Sequence, residues 1–176
     1  MNKLLENRLF ESYSEILPKK KYPTGLPIDD GWYVILDTIC YHIKRRINIV
    51  HWGYNHKEGE KMECRVSIVK MNRQPYGGRL TLEFDVDWIL ASPIQEVETE
   101  LNSRLQELRN LVETWSDRTC EMSGRPGQTF VSIDDINISR VLDPNIAKVL
   151  NFVDESYHYK DSVSYTHLTL PTILLV

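Results

Sequence analysis

Fixed positive charge close to aromatic rings is the chemistry this chain offers most plainly. Lys44-Arg45-Arg46 follows shortly after Trp32, Tyr33 and Tyr41, and Lys19-Lys20-Lys21 is the other basic run. Guanidinium and ammonium groups hold phosphate by charge-assisted hydrogen bonds, and indole or phenol rings stack on bases. Trp32, Tyr33, Lys44, Arg45 and Arg46 are therefore the candidate ligand-binding residues, for a nucleotide or a single nucleic-acid strand. The competing reading makes Lys19–Lys21 a solvated loop and Lys44–Arg46 the positive cap that a helix C-terminus favours.

Other candidate groups read more simply as structure. His51 and His56 sit five apart in a polar stretch, share no helix face and read as solvated loop histidines. Cys120 opens Cys120-Glu121-Met122-Ser123-Gly124, where Ser123 is a poor zinc ligand, and four-coordinate zinc needs four good ones. As a nucleophile Cys120 requires a histidine that the sequence does not place, so it reads as a small buried hydrophobe. Gly77-Gly78 and Gly124 to Gly127 lack the Gly-Lys-Ser of a phosphate-binding loop and read as turns. Glu96, Glu98 and Glu100 suit the first turns of a helix. The expectation is no catalytic constellation, no metal and no cofactor.

The elements that position these residues follow from periodicity. Leu5, Leu9, Tyr13 and Ile16 predict a helix over 3–16, ended by Pro18, with a loop from Lys19 to Asp30. Asp29 and Asp30 offer an N-cap to a helix from Gly31 to Asn48, buried along Trp32, Ile35, Leu36, Ile39, Ile43 and Ile47. After a polar loop over 49–63, period two predicts strands over 64–72 and 80–86 around a Gly77-Gly78 hairpin turn. Val69 and Met71 fall on one face of the first strand, opposite Cys64, Val66 and Ile68. Leu80, Leu82, Phe84 and Val86 form the apolar face of the second.

Ser92-Pro93-Ile94-Gln95 supplies helix-start signals, and Ile94, Val97, Leu101, Leu105, Leu108, Val112 and Trp115 predict a helix over 92–117. A turn over 123–127, a strand over 128–133 and a helix from Asp143-Pro144 to Val153 follow, the last burying Ile146, Val149, Leu150 and Val153. The fold class is α+β: a small antiparallel sheet of two or three strands, covered by the 31–48 and 92–117 helices, with short N- and C-terminal helices.

With 41% hydrophobic and 26% charged residues, the composition is that of a globular domain. A net charge of −4 and a pI near 5.7 argue against coating nucleic acid by bulk charge. The apolar runs are shorter than the roughly 18 residues of a membrane span, and the N-terminus lacks the apolar stretch of a signal peptide. Cys40, Cys64 and Cys120 are odd in number and widely spaced, which suits reduced thiols in a cytoplasm.

Three segments carry a resemblance. Asp30-Gly31-Trp32-Tyr33-Val34-Ile35-Leu36 with Ile39-Cys40, the hairpin from Val66 to Phe84, and Ser116 to Gly127 with its Thr119-Cys120-Glu121 and Gly124-Arg125-Pro126-Gly127 occur in one order. Together they resemble a family of small proteins carried by bacteriophages and prophages, over roughly residues 4–130. Some relatives carry a second cysteine where this chain has Ser123, and a later cysteine pair, so no metal site is carried over. The resemblance implies a viral owner and the host cytoplasm, and supplies no activity. The function expected is a non-enzymatic accessory protein that binds a host protein or a small ligand.

The final residues read differently. Val163-Ser164-Tyr165-Thr166-His167-Leu168-Thr169-Leu170-Pro171-Thr172 is similar to the translation of a DNA adaptor used in sequencing-library preparation. The expectation is a globular domain over 1–162, truncated at its C-terminus, and a non-native tail over 163–176 from an assembled environmental read.

Overall fold

The computed structural model describes residues 1–55, 63–75, 77–90, 95–135 and 137–154. His56 and the segments 91–94 and 163–176 lie outside them, so the Ser92-Pro93 helix start and the tail are not described further. The order is α1 (Lys3–Ser12), α2 (Tyr33–Asn55), β1 (Glu63–Arg73), β2 (Leu80–Leu90), α3 (Gln95–Ser116), β3 (Gln128–Ser132), β4 (Ser139–Leu142), α4 (Pro144–Val149) and β5 (Phe152–Asp154). Single 3-10 turns occupy Lys19–Lys21 and Asp30–Trp32. The α+β class holds, with the strands divided between two antiparallel sheets, β1-β2 and β4-β3-β5.

The main core lies between the β1-β2 hairpin and the helices. Ile35, Leu36, Ile39 and Ile43 from α2 meet Cys64, Val66 and Ile68 from β1, Leu80 and Leu82 from β2, and Leu101, Leu105 and Val112 from α3. Each such aliphatic side chain contributes about 1.5–3 kcal/mol when fully buried. A second, smaller cluster of Cys120, Phe130, Leu142 and Ala147 sits under α4 and the three-stranded sheet. The hairpin turn bridges the two sheets: Gly78 approaches the Arg140 backbone so closely that a Cβ there would lie 2.9 Å from its Cα.

Several elements depart from the expectations. The first helix stops at Ser12, because Pro18 disfavours the helical state for Leu17 and the chain turns to bury Ile16 and Leu17. The Ile16 carbonyl then accepts the Ile68 N–H at 2.8 Å, and the Tyr22 hydroxyl donates to the Ile68 carbonyl at 2.9 Å. Asp29 makes no side-chain cap. In β1 a bulge between Ile68 and Lys70 changes the phase, so that Met71 joins Cys64, Val66 and Ile68 on the buried face.

Helix α2 runs on to Asn55 through residues expected to be loop. His51 is the reason: its Nε2 accepts the Cys64 N–H at 3.0 Å and pins the last turns of the helix to the start of β1. It is thus a part-buried structural histidine and not a solvated one. At the other end, Asp143 caps α4 as expected, accepting the Asn145 N–H at 2.9 Å. That helix closes at Val149, which is 81% exposed, and Leu150 is exposed too. Val153 lies in β5, and β4 and β5 add strands where none was expected.

Candidate functional site

Two clusters of positive charge occupy different environments. The first centres on a buried carboxylate. Glu121, 0% exposed, lies in the turn after α3 with Arg73 from the end of β1 and Arg140 from β4. Arg73 Nε stands 2.8 Å from Glu121 Oε2, an ion pair without hydrogen-bond alignment. Arg140 Nε donates to Glu121 Oε1, and Arg140 also reaches Asp29 Oδ2 at 2.5 Å. Burial raises the Glu121 carboxyl above the usual carboxylate range, against the pull of Arg73 and Arg140 and with a smaller push from Asp29.

The surrounding backbone closes over Glu121, while Arg73, Arg140 and Asp29 stay partly exposed. The Gly31 N–H donates to the Glu121 carbonyl at 2.8 Å, and the Glu121 N–H to the Val141 carbonyl at 3.0 Å. A Cβ on Gly31 would stand 2.2 Å from the Cys120 carbonyl oxygen, so glycine alone permits this approach. Trp32, 0% exposed, donates from Nε1 to the Thr119 carbonyl at 2.9 Å. The Asp30-Gly31-Trp32 and Thr119-Cys120-Glu121 segments therefore lock to each other. Cys120 is fully buried within this turn; Cys40 and Cys64 are buried too, and burial raises the thiols of these two.

Trp32 is thereby corrected as a candidate stacking surface. It is enclosed, and it lies about 18 Å along the helix from Lys44 at 1.5 Å per residue. Tyr33 is half-buried against the main core. Neither residue meets the basic run. Lys44–Arg46 is not a helix cap either, since α2 continues past it to Asn55.

The second cluster lies open on α2. Its core side is Ile35, Leu36, Ile39, Cys40 and Ile43; the opposite side carries Val34, Tyr41, Ile49 and Trp52, all exposed. Tyr41 is 55% and Trp52 70% exposed. Val34, Tyr41, Arg45 and Trp52 follow one another at helical spacings along a line of about 27 Å. Comparison with protein-family models, curated proteins and solved structures finds no match. The geometry of this face must therefore carry the functional reading.

Arg45 stands between two clefts that flank the line. On one side a cleft of about 530 Å³ is lined by Ser12, Tyr13, Tyr41, Lys44, Arg45 and Asn48. On the other, a cleft of about 350 Å³ lies against α3, with Arg45, Arg46, Ile49, Arg104 and Glu107 among its walls. Arg46 approaches Glu100 at 3.8 Å, and Arg104 pairs with Glu107 at 2.8 Å. Lys44 and Arg46 thus point to opposite flanks, and only Arg45 serves both. Among the described residues, no group of three His, Cys, Asp or Glu is placed to hold a metal, and no helix is long and apolar enough to cross a membrane.

Tyr41 was legible as a signal, since it is an aromatic residue placed opposite the helix's own apolar stripe, whereas Trp52 fell in the stretch read as loop. Tyr13 was not, because only the docking of α1 brings it there.

Proposed function

We propose that this chain is a phage-type accessory protein of the host cytoplasm that acts by binding a host protein, with the outward face of α2 as its docking surface. The observation that carries the reading is the exposed line of Val34, Tyr41, Arg45 and Trp52, with Ile49 beside it. Tryptophan, tyrosine and arginine are the residue types that dominate interface energetics. The viral owner rests on the family resemblance of the three motif segments.

The occupant is an acidic segment of the partner. Lys44, Arg45 and Arg46 flank the apolar line, and a second copy would set the same three cations against themselves. A strip about 27 Å long and roughly 10 Å wide covers only about 300 Å², which suits a transient contact.

Affinity capture from host lysate, comparing the wild-type chain with a Tyr41→Ala/Trp52→Ala variant, tests the reading. A partner retained by the first and lost by the second, with binding weakened by salt, is expected. Partners retained equally by both chains would remove α2 as the docking face.

A further inference from the structure

We propose that the cleft between the end of α1 and the flank of α2 is a binding site for a small aromatic phosphate ester of the mononucleotide class. This ligand is separate from the protein partner above, and its site shares Tyr41, Lys44 and Arg45 with that surface.

The cleft, about 530 Å³, falls within the range of ligand-sized pockets. Its cations are placed and available. Lys44 Nζ donates to the Ser12 carbonyl at 3.3 Å and lies 5.9 Å from the centroid of the Tyr13 ring. These contacts hold the ammonium at the cleft and leave further N–H protons for an incoming oxygen. Arg45, on the next residue of the same helix, is exposed and lines the cleft beside it. The cleft on the other flank offers less, because Arg46 and Arg104 already face Glu100 and Glu107.

The aromatic half of the ligand has its own surface. Tyr41 is more than half exposed and meets His42 only edge-on, with ring centroids 5.7 Å apart, which leaves ring face open to stacking. Asn48, also lining the cleft, brings both an amide donor and an acceptor for a base edge.

Among the described residues, a carboxylate reaches this site through Tyr13. Asp37 interacts with the Tyr13 hydroxyl, whose pKa is pushed up to about 12 by burial and by Asp37, so Tyr13 remains a neutral phenol. Asp37 offsets one of the two cations. The remaining attraction favours a doubly charged terminal phosphate over the single charge of a diester, which selects a monoester over an internal position of a strand.

The experiment is titration of the full chain with AMP, adenosine, ribose 5-phosphate and inorganic phosphate, followed by calorimetry and by Tyr41 and Lys44 NMR signals. AMP is expected to bind with a dissociation constant below about 1 mM, more tightly than each of the three fragments. Lys44→Met, which keeps most of the aliphatic stem, and Arg45→Ala should each weaken AMP binding roughly tenfold. Tyr41→Ala should weaken it about as much, and Tyr41→Phe should leave it intact. Each variant is checked for an unchanged melting transition.

Absence of AMP binding at about 10 mM would overturn the proposal. So would adenosine or ribose 5-phosphate binding as tightly as AMP, or Lys44→Met and Arg45→Ala leaving the affinity unchanged in folded protein. A wild-type chain that binds AMP but retains no partner from lysate would break the docking reading alone.

Discussion

Arg73 and Arg140 on one side of the molecule, and Lys44, Arg45 and Arg46 on the other, carry the same charge into different surroundings. The first pair converges on a fully buried carboxylate and on Asp29, within a shell of backbone from Gly31, Cys120 and Val141. Among the described residues, the run on α2 meets water and two clefts, with an ion pair at Arg46 and Lys44 held by the Ser12 carbonyl. Charge density in the sequence points to the second region, because its members are contiguous. Yet the electrostatics that matter for folding belong to the first, whose members lie far apart in the chain. What separates them is the carboxylate supply: acids converge on Arg73 and Arg140, whereas Lys44 and Arg45 face solvent.

The largest expected effect tests the region around the buried carboxylate. Glu121→Ala leaves two guanidinium groups facing an emptied buried site, and chemical denaturation should record a loss of about 3–5 kcal/mol. If the loss is under about 1 kcal/mol, the cluster is not a clamp and the contrast with α2 dissolves. Gly31→Ala comes next, since its methyl would press on the backbone of Cys120 and Gly124; roughly 3 kcal/mol should be lost in the same assay.

A pH series on Glu121→Gln sharpens the comparison. Because burial raises the folded-state carboxyl above its unfolded value, the folded protein holds this proton more tightly. The stability this supplies is complete below the unfolded value of about 4.3 and disappears as pH rises through the raised folded value. The wild type should therefore gain on Glu121→Gln as pH falls from about 7 towards 4, measured by urea denaturation at each pH. The opposite slope would mean that Arg73 and Arg140 outweigh burial.

On the open side the effects on stability should be small. Tyr41→Ala with Trp52→Ala should change stability by about 0.5 kcal/mol or less per site while abolishing partner capture. A large loss of stability would place these rings in the core's service. The smallest effect is expected from deleting residues 163–176: if the segment is translated adaptor, as its resemblance implies, the melting temperature should not move, and a loss of folding would show it to be native.

Regular patterning made much of the architecture readable. The stripe through Val97, Leu101, Leu105 and Val112 repeats at helical spacing without interruption, and the β2 alternation leaves one facing that buries no charge. The errors fall where a non-local contact decides. Met71 changes face because of a bulge; His51 belongs to a helix because the Cys64 backbone waits for its ring. β4 and β5 are short and exist by pairing with β3, on opposite sides, so neither carries a pattern of its own. In the site, the basic run was visible but its aromatic partners were misassigned: Trp32 is drawn inward by the Thr119 carbonyl, and Tyr13 arrives on another helix.

A two-stranded sheet has two open borders, each able to recruit a strand from another molecule. At Ile68 one of these borders is occupied by the chain's own N-terminal segment, through the Ile16 carbonyl and the Tyr22 hydroxyl. The first two dozen residues therefore act as a guard against aggregation as well as part of the core. A clipped chain without them would present the edge of β1 at Ile68, a template for strand exchange. The Ile68 amide is the place to watch this guard lift: its hydrogen exchange should report undocking of the N-terminal segment before the hairpin itself opens.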